Sequence, residues 1–237
     1  MKALQLYTQR VNPFAQKVAI GLDIKRLPFE YVNVDDPNEV RRISPVTGQL
    51  PVLEHGRHRV ADSTAILRYV DEHFADTPLW SRDPKTAAAQ EQLMHWADAS
   101  FLFYWDRWRA ARYPRPGDDQ PANPSVLAQL KRRIERSFGR PGVDPTPLQL
   151  RELQVLDELA KRMDDLAGML GQRDFFHADQ PSVADASVYG MLRIIRHGPM
   201  MGGSAMVERR PALAGYMERM DVMCPNVSRE RLPSFTD

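Results

Sequence analysis

The six residues Gly48-Gln49-Leu50-Pro51-Val52-Leu53, followed within one turn by Ala61-Asp62-Ser63-Thr64-Ala65-Ile66-Leu67, restrict the folds open to this chain more than any other stretch. Proline has no N–H, so Pro51 cannot sit inside a ladder. It can introduce a short apolar strand and leave the backbone of Leu50 free to pair with an extended ligand. His55-Gly56-Arg57-His58 then turns the chain, and Asp62-Ser63 opens an amphipathic helix. With Ser63 read as the N-cap, that helix start offers N–H groups and a positive dipole end to a carboxylate, and Asp62 can hold an ammonium group. One site then grips an amino-acid head group.

The rest of the first third supports a small mixed sheet. Residues 2–7 read as a strand, and Asn12-Pro13-Phe14 as the cap and first turn of a helix with Phe14, Val18 and Leu22 on one face. Residues 28–34 alternate as a second strand, and 38–43 form a short helix ended by Ser44-Pro45. The order βαβα, then a hairpin and a helix, predicts a four-stranded sheet with helices on both faces. The polar, proline-bearing stretch 74–84 marks a boundary between domains at 1–77 and 85–237.

Beyond it the pattern is helical. Helices are predicted over 86–112, 126–138 and 148–170, the last from apolar residues at 150, 153, 156, 159, 163, 166 and 170. Ser182-Val183-Ala184-Asp185 reads as a capping box opening an apolar helix. The basic run at 131–136 includes Ile134 and reads as a solvated helix face. The tail from Pro225 has no readable pattern.

Charge and cysteine usage narrow the function classes. Of 237 residues, Lys and Arg number 32 against 31 Asp and Glu, a formal net charge of +1, so no overall field draws the chain to nucleic acid or acidic lipid. No run reaches the ~18 apolar residues of a membrane span, and the start of the chain enters a strand pattern without the marks of a secretory signal. Cys224 is the single cysteine, which suits a reducing cytoplasm, and the six histidines are scattered, so no metal site is expected.

Gly48-Gln49-Leu50-Pro51-Val52-Leu53 with Asp62-Ser63-Thr64-Ala65-Ile66-Leu67 resembles the glutathione-binding half of the cytosolic glutathione S-transferases. Ser182-Val183-Ala184-Asp185 and Pro211-Ala212-Leu213 resemble the capping box and final core helix of that family's second domain, so the likeness runs from Leu4 to about Met220. The resemblance implies a thioredoxin-like βαβαββα domain followed by an all-helical domain, a cis bond before Pro51, and glutathione held by Gln49, Leu50, Pro51, Asp62 and Ser63. It also implies a homodimer and attack by the glutathione thiolate on an electrophile.

Two residues compete to stabilise that thiolate. Asn12 stands where Ser- and Cys-class members carry their catalytic residue. An amide can donate to a thiolate but cannot form a mixed disulfide. Some bacterial members that reduce disulfides with bound glutathione also carry Asn there. Tyr7 resembles the catalytic Tyr of the mammalian-type classes, and Thr8 could add a hydroxyl. Phe101, Tyr104, Trp105 and Trp108 share one helix face, and of these Tyr104, Trp105 and Trp108 are the candidates for the apolar co-substrate. Three readings stay open: a transferase, a glutathione-dependent disulfide reductase, and a binding or scaffold protein of the same fold.

Overall fold

The computed structural model describes residues 4–9, 12–113, 147–200 and 202–229. The helix expected over 126–138, and the basic run within it, lie outside the described residues.

The first elements are β1 (Leu4–Thr8), α1 (Pro13–Ile24), β2 (Phe29–Asn33), α2 (Pro37–Ile43), β3 (Val52–His55), β4 (His58–Ala61) and α3 (Ser63–His73). The strands form one mixed sheet in the order β2-β1-β3-β4. β1 runs parallel to β2 and antiparallel to β3, with Leu6 opposite Leu53 and Tyr7 opposite Val52. Alternation along each strand therefore sorts side chains between two cores. Leu6 and Leu53 are fully buried on one face, while Val52 joins Val34, Val40 and Ile43 on the other, with Tyr7 and Leu50 packed against them.

All further described elements are helical: α4 (Pro84–Arg112), α5 (Pro147–Leu170), α6 (Val183–His197), α7 (Gly203–Glu208), α8 (Pro211–Met223) and α9 (Pro225–Arg229). The expected sheet domain followed by helices is what the chain forms. No described helix is long and apolar enough to cross a membrane.

The chain divides into two compact units. One comprises residues 1–98 with 167–237, and the other residues 99–166. In the second, the distal half of α4 is joined to α5 by the Trp108 indole N–H donating to Glu152 at 3.0 Å and by an Arg107–Glu158 ion pair. In the first, α1 differs from its sequence pattern. One apolar face was expected, yet every residue from Ala15 to Ile24 is buried. The sheet and α3 cover one side of α1 and α6 the other. Gly21 permits the first approach, since a Cβ there would lie 2.3 Å from Leu67 Cδ2.

Burial on both sides forces the polar residues of α1 to find partners inside. Lys17 Nζ donates to Thr64 Oγ1 at 3.1 Å and to Asp98 at 2.7 Å. Gln16 accepts from Arg193 at 2.7 Å. Asp23 accepts from the Asn226 and Val227 N–H groups and the Asn226 amide, so it anchors the start of α9. The stretch without a sequence pattern thus has a helix fixed by one carboxylate 203 residues before it.

Candidate functional site

The two helix starts at one end of the sheet differ in what they leave open. At α1 the N-cap is Asn12, as expected. Its Oδ1 accepts from the Phe14 and Ala15 N–H groups at 2.9 and 3.1 Å, and its carbonyl accepts from Gln16 at 3.0 Å. Pro13 has no N–H, so every first-turn backbone donor of α1 is spent or missing. Asn12 Nδ2 also donates to the Leu50 carbonyl at 3.1 Å, which fixes the amide orientation and leaves one of its two hydrogens.

At α3 the assignment changes by one residue. The N-cap is Asp62, not Ser63, and Asp62 Oδ1 accepts from the Thr64 and Ala65 N–H groups at 3.0 and 2.9 Å. Asp is as good a cap as Ser, and the tight exit from β4 places Asp62 at φ +77°, a conformation that turns its carboxylate onto the helix start. Ser63 becomes the first helical residue. Its N–H and hydroxyl have no partner among the described residues, and neither has Asp62 Oδ2. Ser63 is only 5% exposed. This start keeps two donors and one anionic acceptor, whereas α1 keeps a single amide hydrogen.

The backbone before β3 lies alongside. The Leu50–Pro51 bond is cis. Val52 pairs with Ala61, so the register sets Leu50-Pro51 beside Asp62-Ser63. The Leu50 N–H has no partner among the described residues, but its carbonyl is already engaged by Asn12. Leu50 is thus half free, where the sequence suggested a wholly free backbone. Gln49 is exposed, its N–H held by Thr47 Oγ1 at 3.2 Å.

Tyr7 turns its hydroxyl to Gln5 Oε1 and Glu54 Oε2, each at 3.4 Å, with the Arg59 guanidinium 5.7 Å from its ring centre. Those partners lie back along β1 and β3, Gln5 three residues before Thr8, where the strand that feeds α1 ends. Thr8 donates to the Gln9 carbonyl at 2.9 Å. Tyr104, Trp105 and Trp108 all belong to the second unit. Tyr104 and Trp108 are buried, and Trp105 is partly exposed, with ring centres 5.6 Å from Phe101 and 5.3 Å from Trp108.

Cys224 is buried, and desolvation pushes its thiol well above the usual range, which keeps it protonated and unreactive at neutral pH. Among the described residues no group of His, Cys, Asp and Glu could hold a metal ion. The sequence reading passed over Gln16, Lys17 and Arg193. A polar pair inside an otherwise apolar helix was the available signal for the first two.

Comparison with known proteins bears on the family and the fold. The family model for the glutathione S-transferase N-terminal domain matches residues 6–78, and that for the glutathione S-transferase C-terminal domain matches residues 159–220. A probable glutathione S-transferase GSTU1 of Oryza sativa subsp. indica is 32% identical over 155 residues. That match spans 58% of this chain and 63% of the rice protein. FtsZ-localized protein A of Caulobacter vibrioides (strain NA1000 / CB15N) is 26% identical over 192 residues, 78% of this chain and 74% of its own. A solved glutathione S-transferase of Methylobacterium radiotolerans JCM 2831, in complex with glutathione sulfonate, superposes with a TM-score of 0.65 at 21% identity, covering 100% of this chain and 97% of its own. With both domains of one family matched in order on a sheet and helices of the expected topology, the chain belongs to the glutathione S-transferase family.

Proposed function

We propose that this protein is a glutathione transferase in which Asn12, rather than Tyr7, stabilises the glutathione thiolate. The observation that carries the reading is the contrast between the two helix starts: α3 keeps donors and an acceptor for a charged head group, and α1 keeps one amide hydrogen. In this reading the γ-glutamyl carboxylate takes the Ser63 N–H and hydroxyl, and the ammonium takes Asp62 Oδ2. Leu50 N–H and Gln49 hold the extended middle of the tripeptide beside Pro51, and its sulfur points at Asn12. Residues 1–77 bind glutathione, and the helical part, 85–237, supplies Tyr104, Trp105 and Trp108 for an apolar co-substrate.

A thiol of pKa ~8.5 must have its anion favoured by roughly 2.7 kcal/mol to titrate two units lower. The positive end of α1 contributes part of this, and a hydrogen bond from Asn12 Nδ2 to the charged sulfur contributes the rest. Asn12 Oδ1 is occupied by two N–H groups, so Asn12 donates and never accepts the thiol proton, which leaves to solvent. The thiolate then attacks an electrophilic carbon: a C–S bond forms, and the leaving group departs with its electron pair. Family resemblance and the prevalence of symmetric dimers support a homodimer, and the single buried thiol suits a cytoplasmic setting.

Glutathione-dependent disulfide reduction fits the same binding site, with both sulfurs supplied by substrates because Cys224 is buried. A binding or scaffold role is favoured by one observation: a relative matched over 78% of this chain is named for its location with FtsZ. Titration calorimetry tests the site. Ser63→Ala should weaken glutathione binding by about 1–2 kcal/mol, the loss of one hydrogen bond. Unchanged binding would remove Ser63 from the site, and no millimolar binding by the parent protein would favour the scaffold reading. Turnover of a chlorodinitrobenzene against a small mixed disulfide separates transferase from reductase.

A further inference from the structure

We infer that Arg193 of α6 is a positioning residue for the thiolate site, acting through Gln16 on the first turn of α1. The inference rests on the proposed role of Asn12. Arg193 is 2% exposed in the C-terminal third of α6, and a buried guanidinium is retained only where its hydrogen bonds are met inside. Its Nη1 donates to Gln16 Oε1 at 2.7 Å, across 177 residues of sequence, and Gln16 is itself 5% exposed. The Gln16 N–H closes the first turn of α1 onto the Asn12 carbonyl at 3.0 Å. One hydrogen-bonded path therefore runs from the core of α6 to the residue whose amide faces the sulfur.

The backbone contact reinforces it. Gly190 lies one turn before Arg193, and a Cβ there would stand 3.3 Å from Ile20 Cδ1 and 3.5 Å from the Lys17 nitrogen. Helix α6 thus packs directly on the α1 main chain beside Gln16, and Arg193 fixes the rotation of α1 about its own axis at that contact. A hydrogen bond to a thiolate tolerates displacement of only about 0.5 Å before it weakens, so a small rotation at Gln16 reaches Asn12 Nδ2.

The test is a double-mutant cycle read on bound glutathione, with the thiolate followed by its ultraviolet absorbance against pH. Arg193→Met should raise the bound-thiol pKa by half a unit or more, about a threefold fall in thiolate well below the pKa, with glutathione affinity changed less than twofold. Arg193→Lys should restore part of the shift. Gln16→Met should produce the same displacement, and the double variant no more than either alone, because both act on one path. If Arg193→Met fails to fold, Gln16→Met alone carries the test. A fall in melting temperature with the bound-thiol pKa unmoved, or additive shifts in the double variant, would overturn the inference while leaving the glutathione site intact. Absence of any thiolate signal in the parent protein would instead remove the Asn12 reading on which it rests.

Discussion

Asn12→Asp separates the two duties of residue 12. Aspartate has the same shape and caps helices as well as asparagine, so its oxygen keeps the Phe14 and Ala15 N–H groups. It has no hydrogen to give, so the 3.1 Å bond to the Leu50 carbonyl is lost, and with it the donor to sulfur; its negative charge opposes the thiolate in the same direction, so the loss of the donor sets the least rise in the thiol pKa. The Leu50 bond accounts for about 1 kcal/mol of stability, and Asn12→Ala, which loses the cap as well, should cost about 2 kcal/mol. The donor to sulfur is worth more, because a hydrogen bond to a charged acceptor contributes about 1.5–3 kcal/mol.

That energy corresponds to a rise of about 1–2 units in the bound-thiol pKa. A thiol titrating near ~6.5 is about three-quarters ionised at pH 7, and one near ~8 about one-tenth, so turnover at pH 7 should fall about eightfold. The loss should close at pH 9 and above, where both thiols are ionised. Thiolate absorbance of the glutathione complex gives the pKa, and urea unfolding gives the stability order, parent above Asn12→Asp above Asn12→Ala. An unchanged bound-thiol pKa in Asn12→Asp would refute the reasoning, and the donor would have to be sought elsewhere.

Asp185 offers a stability test independent of glutathione. Its carboxylate accepts from the Phe176 and Ser182 N–H groups and the Ser182 hydroxyl, yet burial dominates and raises its pKa to about 6. A folded pKa above the unfolded value near 3.8 means the native state binds the extra proton. This contribution, on the order of 3 kcal/mol, is full below pH ~4 and is lost as pH rises through 6. Asp185→Asn should abolish that slope in denaturant midpoints between pH 4 and 7, and should cost about 2–3 kcal/mol at pH 7 by facing an amide donor to the Ser182 N–H. In single-tryptophan variants, acrylamide should quench Trp105 readily and Trp108 hardly at all, since Trp108 is 1% exposed and bonded to Glu152. Equal quenching would contradict the described packing of α4.

The sequence by itself determined the elements and their order. Proline and cap residues act within a few residues of where they stand, so Asn12-Pro13, Pro51 and the Ser182–Asp185 box marked boundaries that the structure keeps. Periodicity likewise fixed the strands and the helix ending at Leu170. Tertiary structure decided which polar atoms remain available. Whether Asp62 or Ser63 caps α3 depends on the backbone angle imposed where β4 ends, and that choice frees the Ser63 hydroxyl and N–H. Whether the Leu50 backbone is open depends on Asn12, 38 residues earlier, reaching its carbonyl. The partners of Gln16, Lys17 and Asp23 come from α6, α4 and α9, and no local pattern encodes them, because a hydrogen bond across a core is set by how helices pack rather than by neighbours in the chain.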